Sequence, residues 1–254
     1  MVFYNRRDIE NFSNESGVEE DIVYAKIYNL VFDNNKHIKK NVDKVLKYLK
    51  DKKDVKILDA NCGIGANYKY LSEQYMTVGV DGSREYLKYA TIRNPSGKFI
   101  EKDLREEIIF KPEEFTDIVC LMESFYNSAD FGKILENFYF WLKKGGNLYI
   151  NIYDRKKLDP APKDYTQYYK DKNGIKHGLT YFNKFTHDAY WKQDNVDTAT
   201  YVETIVLEDG RKKIKEKKLY IPLEKSKIVN KITEYGFKLI NIEKGNPDLY
   251  IFQK

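Results

Sequence analysis

The chain reads as an α/β protein, a doubly wound sheet of mostly parallel strands with helices on both faces. Three observations predict this. Between Val55 and Tyr153, short apolar runs alternate with stretches whose apolar residues recur every three or four positions, the pattern of repeated strand–helix units. The run Asp117–Met122 is almost continuously apolar, as a strand covered on both faces must be. And the run around Val55, Ile57 and Leu58 passes through Asp59 and the turn Asn61-Cys62-Gly63-Ile64-Gly65 into a helical stretch carrying Tyr68, Leu71 and Tyr75. Such a turn lies at the carboxyl edge of a sheet, where open α/β folds bind ligands.

The elements follow in order. Residues Met1–Gly17 are polar and irregular. Val18–Phe32 has helical spacing through Ile22, Tyr24, Ile27, Tyr28 and Val31, and a second helix with one apolar stripe, Val42, Val45, Leu46 and Leu49, runs from about His37 to Lys50. After the glycine turn, Thr77–Val80 is the second strand, ending at Asp81, and Gly82 and Ser83 open a helix through Leu87 and Ala90. Lys98–Leu104 reads as the third strand with its exit, and Asp117–Met122 as the fourth. Phe131, Ile134, Leu135, Phe138, Trp141 and Leu142 mark an amphipathic helix that Lys143-Lys144-Gly145-Gly146 should end. Asn147–Tyr153 is the fifth strand. Lys156–Asn173 is loop-like, and three alternating strands follow at about Gly178–Lys192, Thr198–Glu208 and Lys212–Tyr220, the last two joined by the hairpin signal Asp209-Gly210. The basic run Arg211–Lys218 reads as a solvated strand face. A helix with Ile228, Val229 and Ile232 ends at Gly236, and two strands, Phe237–Ile242 and Tyr250–Phe252, flank a turn at Asn246-Pro247.

Composition narrows the classes of partner. A surplus of 44 basic over 39 acidic side chains, +5 net, permits nucleic acid but does not require it. Two cysteines and three histidines, widely scattered, offer no zinc spacing, so no metal is expected. Cys62 and Cys120, each at the end of a predicted strand, read as buried small hydrophobes. No run of about 18 apolar residues and no apolar leader after Met1 is present, so the expected location is the cytoplasm, with no membrane partner.

The glycine turn is not a dinucleotide fingerprint. That pattern, G-x-G-x-x-G, needs a third glycine for close helix–strand packing, and Tyr68 stands there. The stretch Ile57-Leu58-Asp59-Ala60-Asn61-Cys62-Gly63-Ile64-Gly65 instead resembles the first motif of class I S-adenosylmethionine-dependent methyltransferases, with Asn61 replacing the first glycine. Asparagine tolerates left-handed backbone better than most residues. Leu142-Lys143-Lys144-Gly145-Gly146-Asn147-Leu148 resembles another motif of that superfamily, and Tyr28-Asn29-Leu30-Val31-Phe32 with Lys36 resembles the segment ahead of the first motif in its small-molecule members. The likeness is nearest to the N,N-dimethyltransferases of nucleotide-linked amino sugars.

The resemblance implies a seven-stranded sheet with one antiparallel strand. It implies an N-terminal helical lid over residues 1–50, a cofactor-binding core over 51–154 and 222–254, and a substrate-covering antiparallel β insertion over 155–221. It implies S-adenosylmethionine as cofactor, leaving S-adenosylhomocysteine. The cofactor would meet Asp59, Ala60, Asn61, Gly63 and Gly65 in the turn, and Asp81 and Gly82 at the ribose, where a carboxylate accepts from two hydroxyls. Asp103 and Leu104 would sit at the adenine, Met122 after the fourth strand, and Tyr24 or Tyr28 in the lid. An amine must be neutral to attack, so a base near it helps, and position nominates Glu123, Tyr126 and His187. The expected reaction is methylation of a small molecule, an amine such as an amino sugar, mainly by proximity and orientation. The alternatives are an RNA or O-methyltransferase, or a non-catalytic S-adenosylmethionine-binding regulator. In the amino sugar enzymes the insertion helps form a dimer, which extends the expectation of a homodimer to this chain.

Overall fold

The computed structural model describes residues 20–32, 35–121, 126, 131–159, 166–221, 224–245 and 247–254. The chain forms two compact units: residues 1–32 with 158–218, and residues 33–157 with 219–254. The two N-terminal helices, α1 (Glu20–Phe32) and α2 (Asn35–Leu49), fall in different units. Among the described residues no helix is long and apolar enough to cross a membrane.

The larger unit is built on seven strands: β1 (Lys56–Ala60), β2 (Met76–Asp81), β3 (Phe99–Glu101), β4 (Phe115–Cys120), β5 (Leu142–Ile152), β11 (Lys238–Glu243) and β12 (Asp248–Gln253). Their order is β11-β12-β5-β4-β1-β2-β3. β12 pairs antiparallel with both β5 and β11, while the pairings from β5 through to β3 are parallel. One strand therefore runs against the rest, as expected. The connecting helices are α3 (Ala66–Ser72), α4 (Arg84–Arg93), α5 (Phe131–Trp141) and α6 (Lys225–Glu234).

The apolar stripe of α2 is core. Ile38, Val42, Val45 and Leu49 pack with Ile57, Leu71, Val119, Tyr149, Leu249 and Ile251, all buried. Each such side chain contributes about 1.5–3 kcal/mol by leaving water. At the opposite edge of β1 from the glycine turn, buried Asp117 accepts from Lys52 Nζ at 2.6 Å and from the Tyr149 hydroxyl at 3.1 Å. Both cysteines are free and buried.

The smaller unit carries an antiparallel sheet of β6 (Gln167–Lys170), β7 (Lys176–Tyr181), β8 (Phe185–Gln193), β9 (Thr198–Leu207) and β10 (Lys212–Tyr220), in the order β10-β9-β8-β7-β6. Two details depart from expectation. β6 lies inside the stretch read as loop; its four residues are all exposed, so it forms by pairing with β7 and leaves no burial pattern. The predicted strand Gly178–Lys192 is two strands, because the chain reverses at Phe182–Lys184, where Phe182 N–H donates to Phe185 O at 2.9 Å and the two rings stack at 4.4 Å. The aromatic run hides that turn. Similarly, α5 ends at Trp141, and Lys143–Gly146 belong to β5, where Gly145 and Gly146 exchange backbone hydrogen bonds with Lys254.

Candidate functional site

The turn after β1 is a chain of left-handed residues: Asn61, Gly63 and Gly65 have φ of 51°, 53° and 70°. A left-handed helix conformation costs roughly 1–2 kcal/mol for most side chains, which glycine escapes and asparagine partly escapes. Asn61 thus does the backbone work of the glycine it replaces. Gly65 is needed twice, since a Cβ there would meet Asn94 Nδ2 at 2.8 Å and Ala90 Cβ at 3.1 Å. Around Gly63 there is open space, with no atom of the described residues within 4 Å of a built Cβ.

Asp81, at the end of β2, ties this turn to the next helix. One carboxylate oxygen accepts from Gly63 N–H and the other from Ser83 N–H, both at 2.8 Å. Ser83 in turn caps α4 by accepting from Tyr86 N–H. Asp81 therefore has a structural duty in the loop containing Gly82. The exit of β3 lies beside it, because Lys102 N–H donates to Asp81 O at 3.1 Å. Asp103 follows, half-buried and held by Arg105 through backbone and guanidinium, which keeps its carboxyl below the usual range. Leu104 is buried, its carbonyl accepting from Asn137 Nδ2 at 2.7 Å.

Asp59 and Ala60 are buried at the carboxyl end of β1. Among the described residues neither oxygen of Asp59 has a hydrogen-bond partner. Burial, then the Asp81 charge, push its carboxyl up to about 8; the Tyr68 N–H opposes this without reaching hydrogen-bond geometry. The same burial and charges push both cysteine thiols up. Tyr68, the residue that breaks the dinucleotide pattern, has a structural role that its position in the motif does not announce. Its hydroxyl donates to Thr77 O at 3.1 Å and accepts from Lys98 N–H at 2.8 Å, and its ring lies 4.5 Å from Phe99.

The other nominated residues are placed differently. Met122 and Glu123 lie outside the described residues. Tyr126 is buried with its hydroxyl engaged by β5 main chain, donating to Asn151 O and accepting from Tyr153 N–H, both at 3.0 Å. Tyr24, Tyr28 and His187 belong to the smaller unit. There, Glu203 of β9 accepts from the Tyr24 hydroxyl on one oxygen and meets His187 Nε2 at 3.1 Å on the other. All three side chains are buried. The Phe32 ring stands edge-on to the His187 imidazole at 5.9 Å, and Tyr28 packs on Phe32 at 4.6 Å. Glu203 went unpredicted, although the inward alternation Ala199, Tyr201, Glu203, Ile205 carries the signal of a buried acid.

Residues 33–195, more than half of the chain, match the family model described as methyltransferase domain. The chain belongs to that family. This methyltransferase is similar to phosphoethanolamine N-methyltransferase 1 of Zea mays, 25% identical over 138 residues, 53% of this chain and 27% of that protein. It is also similar to phosphoethanolamine N-methyltransferase 1 of Triticum aestivum, 28% identical over 139 residues, 53% and 28% of the two chains. The match thus spans little more than a quarter of these curated relatives. Among solved structures, an S-adenosylmethionine-dependent methyltransferase from Clostridium acetobutylicum superposes with TM-score 0.68 at 18% identity, covering 91% of this chain and 97% of that one. A sugar N-methyltransferase from Streptoalloteichus sp. gives 0.68 at 14%, covering 100% and 96%. An amino pentose methyltransferase from Micromonospora echinaspora, solved with S-adenosylmethionine bound, gives 0.66 at 14%, covering 91% and 96%. At these identities the likeness is one of fold, shared with an enzyme that holds S-adenosylmethionine.

The larger unit of the methyltransferase fits such a cofactor on its own observations. The turn leaves open space at Gly63, Asp59 carries two buried oxygens without partners, and Asp81 presents a carboxylate at the strand end. A cation such as an α-ammonium group is what an unpartnered buried carboxyl favours.

Proposed function

We propose that this methyltransferase moves the methyl group of S-adenosylmethionine to a nitrogen of a small amine, such as an amino sugar. The observation that carries the reading is the Asn61–Gly65 turn locked to Asp81 by the 2.8 Å Gly63 bond, because it sets a carboxylate beside an open glycine surface. The amine acceptor is supported by the company the chain keeps: a sugar N-methyltransferase and an amino pentose methyltransferase by fold, and phosphoethanolamine N-methyltransferases by sequence.

In this reading Asp81 accepts from the ribose hydroxyls, Asp59 lies toward the amino acid end, and Asp103 with Leu104 borders the adenine. When bound, the cofactor supplies a methyl group already activated by its sulfonium. The protein's part is then to align the acceptor and to exclude water. Glu123 and Tyr126 are assigned to positioning, since the Tyr126 hydroxyl is already engaged by the main chain of Asn151 and Tyr153.

The test is calorimetry with S-adenosylhomocysteine on wild type and Asp81→Ala, followed by an S-adenosylhomocysteine-release assay over a panel of amines, sugars and RNA. Wild type should bind in the micromolar range, on the order of −8 kcal/mol. Asp81→Ala should lose about 2–3 kcal/mol of that affinity. Equal affinity in the two proteins sinks the ribose assignment, and turnover of RNA alone sinks the small-amine reading.

A further inference from the structure

Asp59 stands near the end of β1, 1% exposed, beside a turn whose N–H groups are spent elsewhere. Cys62 N–H donates to Val80 O at 2.9 Å, Gly63 N–H to Asp81 at 2.8 Å and Gly65 N–H to Cys62 O at 3.0 Å. Both Asp59 oxygens are buried, and among the described residues neither has a hydrogen-bond partner. The titratable groups around it are Asp81 at the end of β2, Cys62 in the turn and Cys120 at the end of β4. Burial pushes both thiols up, so they stay neutral and Asp81 is the charge that Asp59 meets. Among the described residues no lysine, arginine or histidine acts on Asp59. An ionised carboxyl with neither donor nor cation is costly to bury, and such a group keeps its proton instead. Burial, then the Asp81 charge, hold this one up to about 8.

We propose that Asp59 is a proton-linked counter-ion: a neutral carboxylic acid in the free protein, it ionises when an α-ammonium group enters the turn, and its proton leaves for water. This deepens the cofactor reading and rests on it. One O–H bond breaks at Asp59, its electron pair stays on the carboxylate, and water or buffer takes the proton. The carboxylate that results is paired with the incoming cation, which supplies the partner that the free turn lacks. At low pH part of the binding free energy goes to stripping the proton. Affinity for a ligand with the ammonium group therefore climbs about tenfold per pH unit between about pH 5 and 7, and levels off as pH passes the value of free Asp59. A ligand with ribose and adenine but no ammonium group leaves Asp59 protonated, so its affinity stays flat over the same range. Asp81 does not mimic the effect, because the Gly63 and Ser83 N–H bonds already favour its ionised form in the free protein.

The experiment uses the full chain with two probes, S-adenosylhomocysteine and 5′-methylthioadenosine, which lacks the amino acid end. Calorimetry near pH 6.5, repeated in buffers of different ionisation enthalpy, counts the protons exchanged on binding. Wild type should release about one proton per S-adenosylhomocysteine bound and about none with 5′-methylthioadenosine. The Kd for S-adenosylhomocysteine should fall by about 100-fold from pH 5 to pH 7, and that for 5′-methylthioadenosine should stay within about twofold. Infrared difference spectra read the carboxyl directly. Wild type should lose the carbonyl band of a protonated carboxyl when S-adenosylhomocysteine binds, and free Asp59→Asn, which assigns the band, should lack it. Binding of S-adenosylhomocysteine with no proton release and no band lost overturns the proposal and leaves the cofactor reading standing. Equal release with both probes overturns it too, since the proton then comes from the ribose side. Failure of wild type to bind S-adenosylhomocysteine at any pH overturns both.

Discussion

The turn after β1 and the Tyr24–Glu203–His187 trio are both buried polar sites, but they are made of different material. The first is backbone: three left-handed residues within five positions, with one aspartate clamping them from the next strand. The second is side chain, joined across 179 residues between Tyr24 and Glu203 and 16 between His187 and Glu203. A backbone site is sensitive to atoms added where a Cβ would clash, as at Gly65, while a side-chain site tolerates isosteric exchange and is sensitive to the loss of a hydrogen bond. The two should therefore break under different substitutions.

The largest expected effect is at Gly65. Gly65→Val demands a β-branched residue at φ 70° and a Cβ against Asn94 and Ala90, costing about 2–5 kcal/mol in urea unfolding. Should that variant be as stable as wild type, the backbone account of the turn fails.

Asp59 sharpens the comparison through pH. Its folded carboxyl sits at about 8, above an unfolded value near 4, so the folded state holds the proton that the unfolded chain releases. Its contribution is fully present below about pH 4 and is lost as pH rises toward 8, at about 1.4 kcal/mol per pH unit. Asp59→Asn removes this slope. The melting temperature of the variant relative to wild type should climb between pH 5 and 8, while its S-adenosylmethionine affinity falls. A pH-independent difference in melting temperature would falsify the buried, proton-binding carboxyl.

Hydroxyl deletions come next. Tyr68→Phe leaves the Lys98 N–H and Thr77 carbonyl without their bridge, an expected loss of about 1–3 kcal/mol. Tyr24→Phe removes a donor to Glu203 and should cost about 0.5–1.5 kcal/mol. The smallest change is Asn61→Gly, which relieves a φ of 51° and should gain less than about 1 kcal/mol. Chemical denaturation resolves all three, and a stability loss in Asn61→Gly would mean that the asparagine side chain, not its backbone, is what the turn uses.

The same contrast explains what could be read from the chain beforehand. The order of strands and the glycine turn were legible because their causes are local: apolar periodicity, glycines at fixed offsets, an acid closing β2. Even the departure at Asn61 was readable, since left-handed tolerance belongs to the residue itself. β6 was not legible because it is exposed along its length and owes its form to a partner strand. Glu203 was missed because an acid in an alternating strand declares itself only once the strand's inward face and His187 beneath it are known. Tyr126 was read by position alone, and the 3.0 Å bonds to Asn151 and Tyr153 show what position could not, that its hydroxyl is already occupied.

Tyr68 bears on how such a chain can change over generations. It stands where a dinucleotide-binding turn would have its third glycine, so the two ligand classes differ here by a single codon's worth of identity. Yet the tyrosine fills the space beneath Phe99 and bridges Thr77 to Lys98, holding a three-residue edge strand to its neighbour. Exchanging it for glycine would open a ring-sized hole and release two main-chain groups at once. A lineage leaving this cofactor for a dinucleotide would first have to rebuild the joint between β2 and β3.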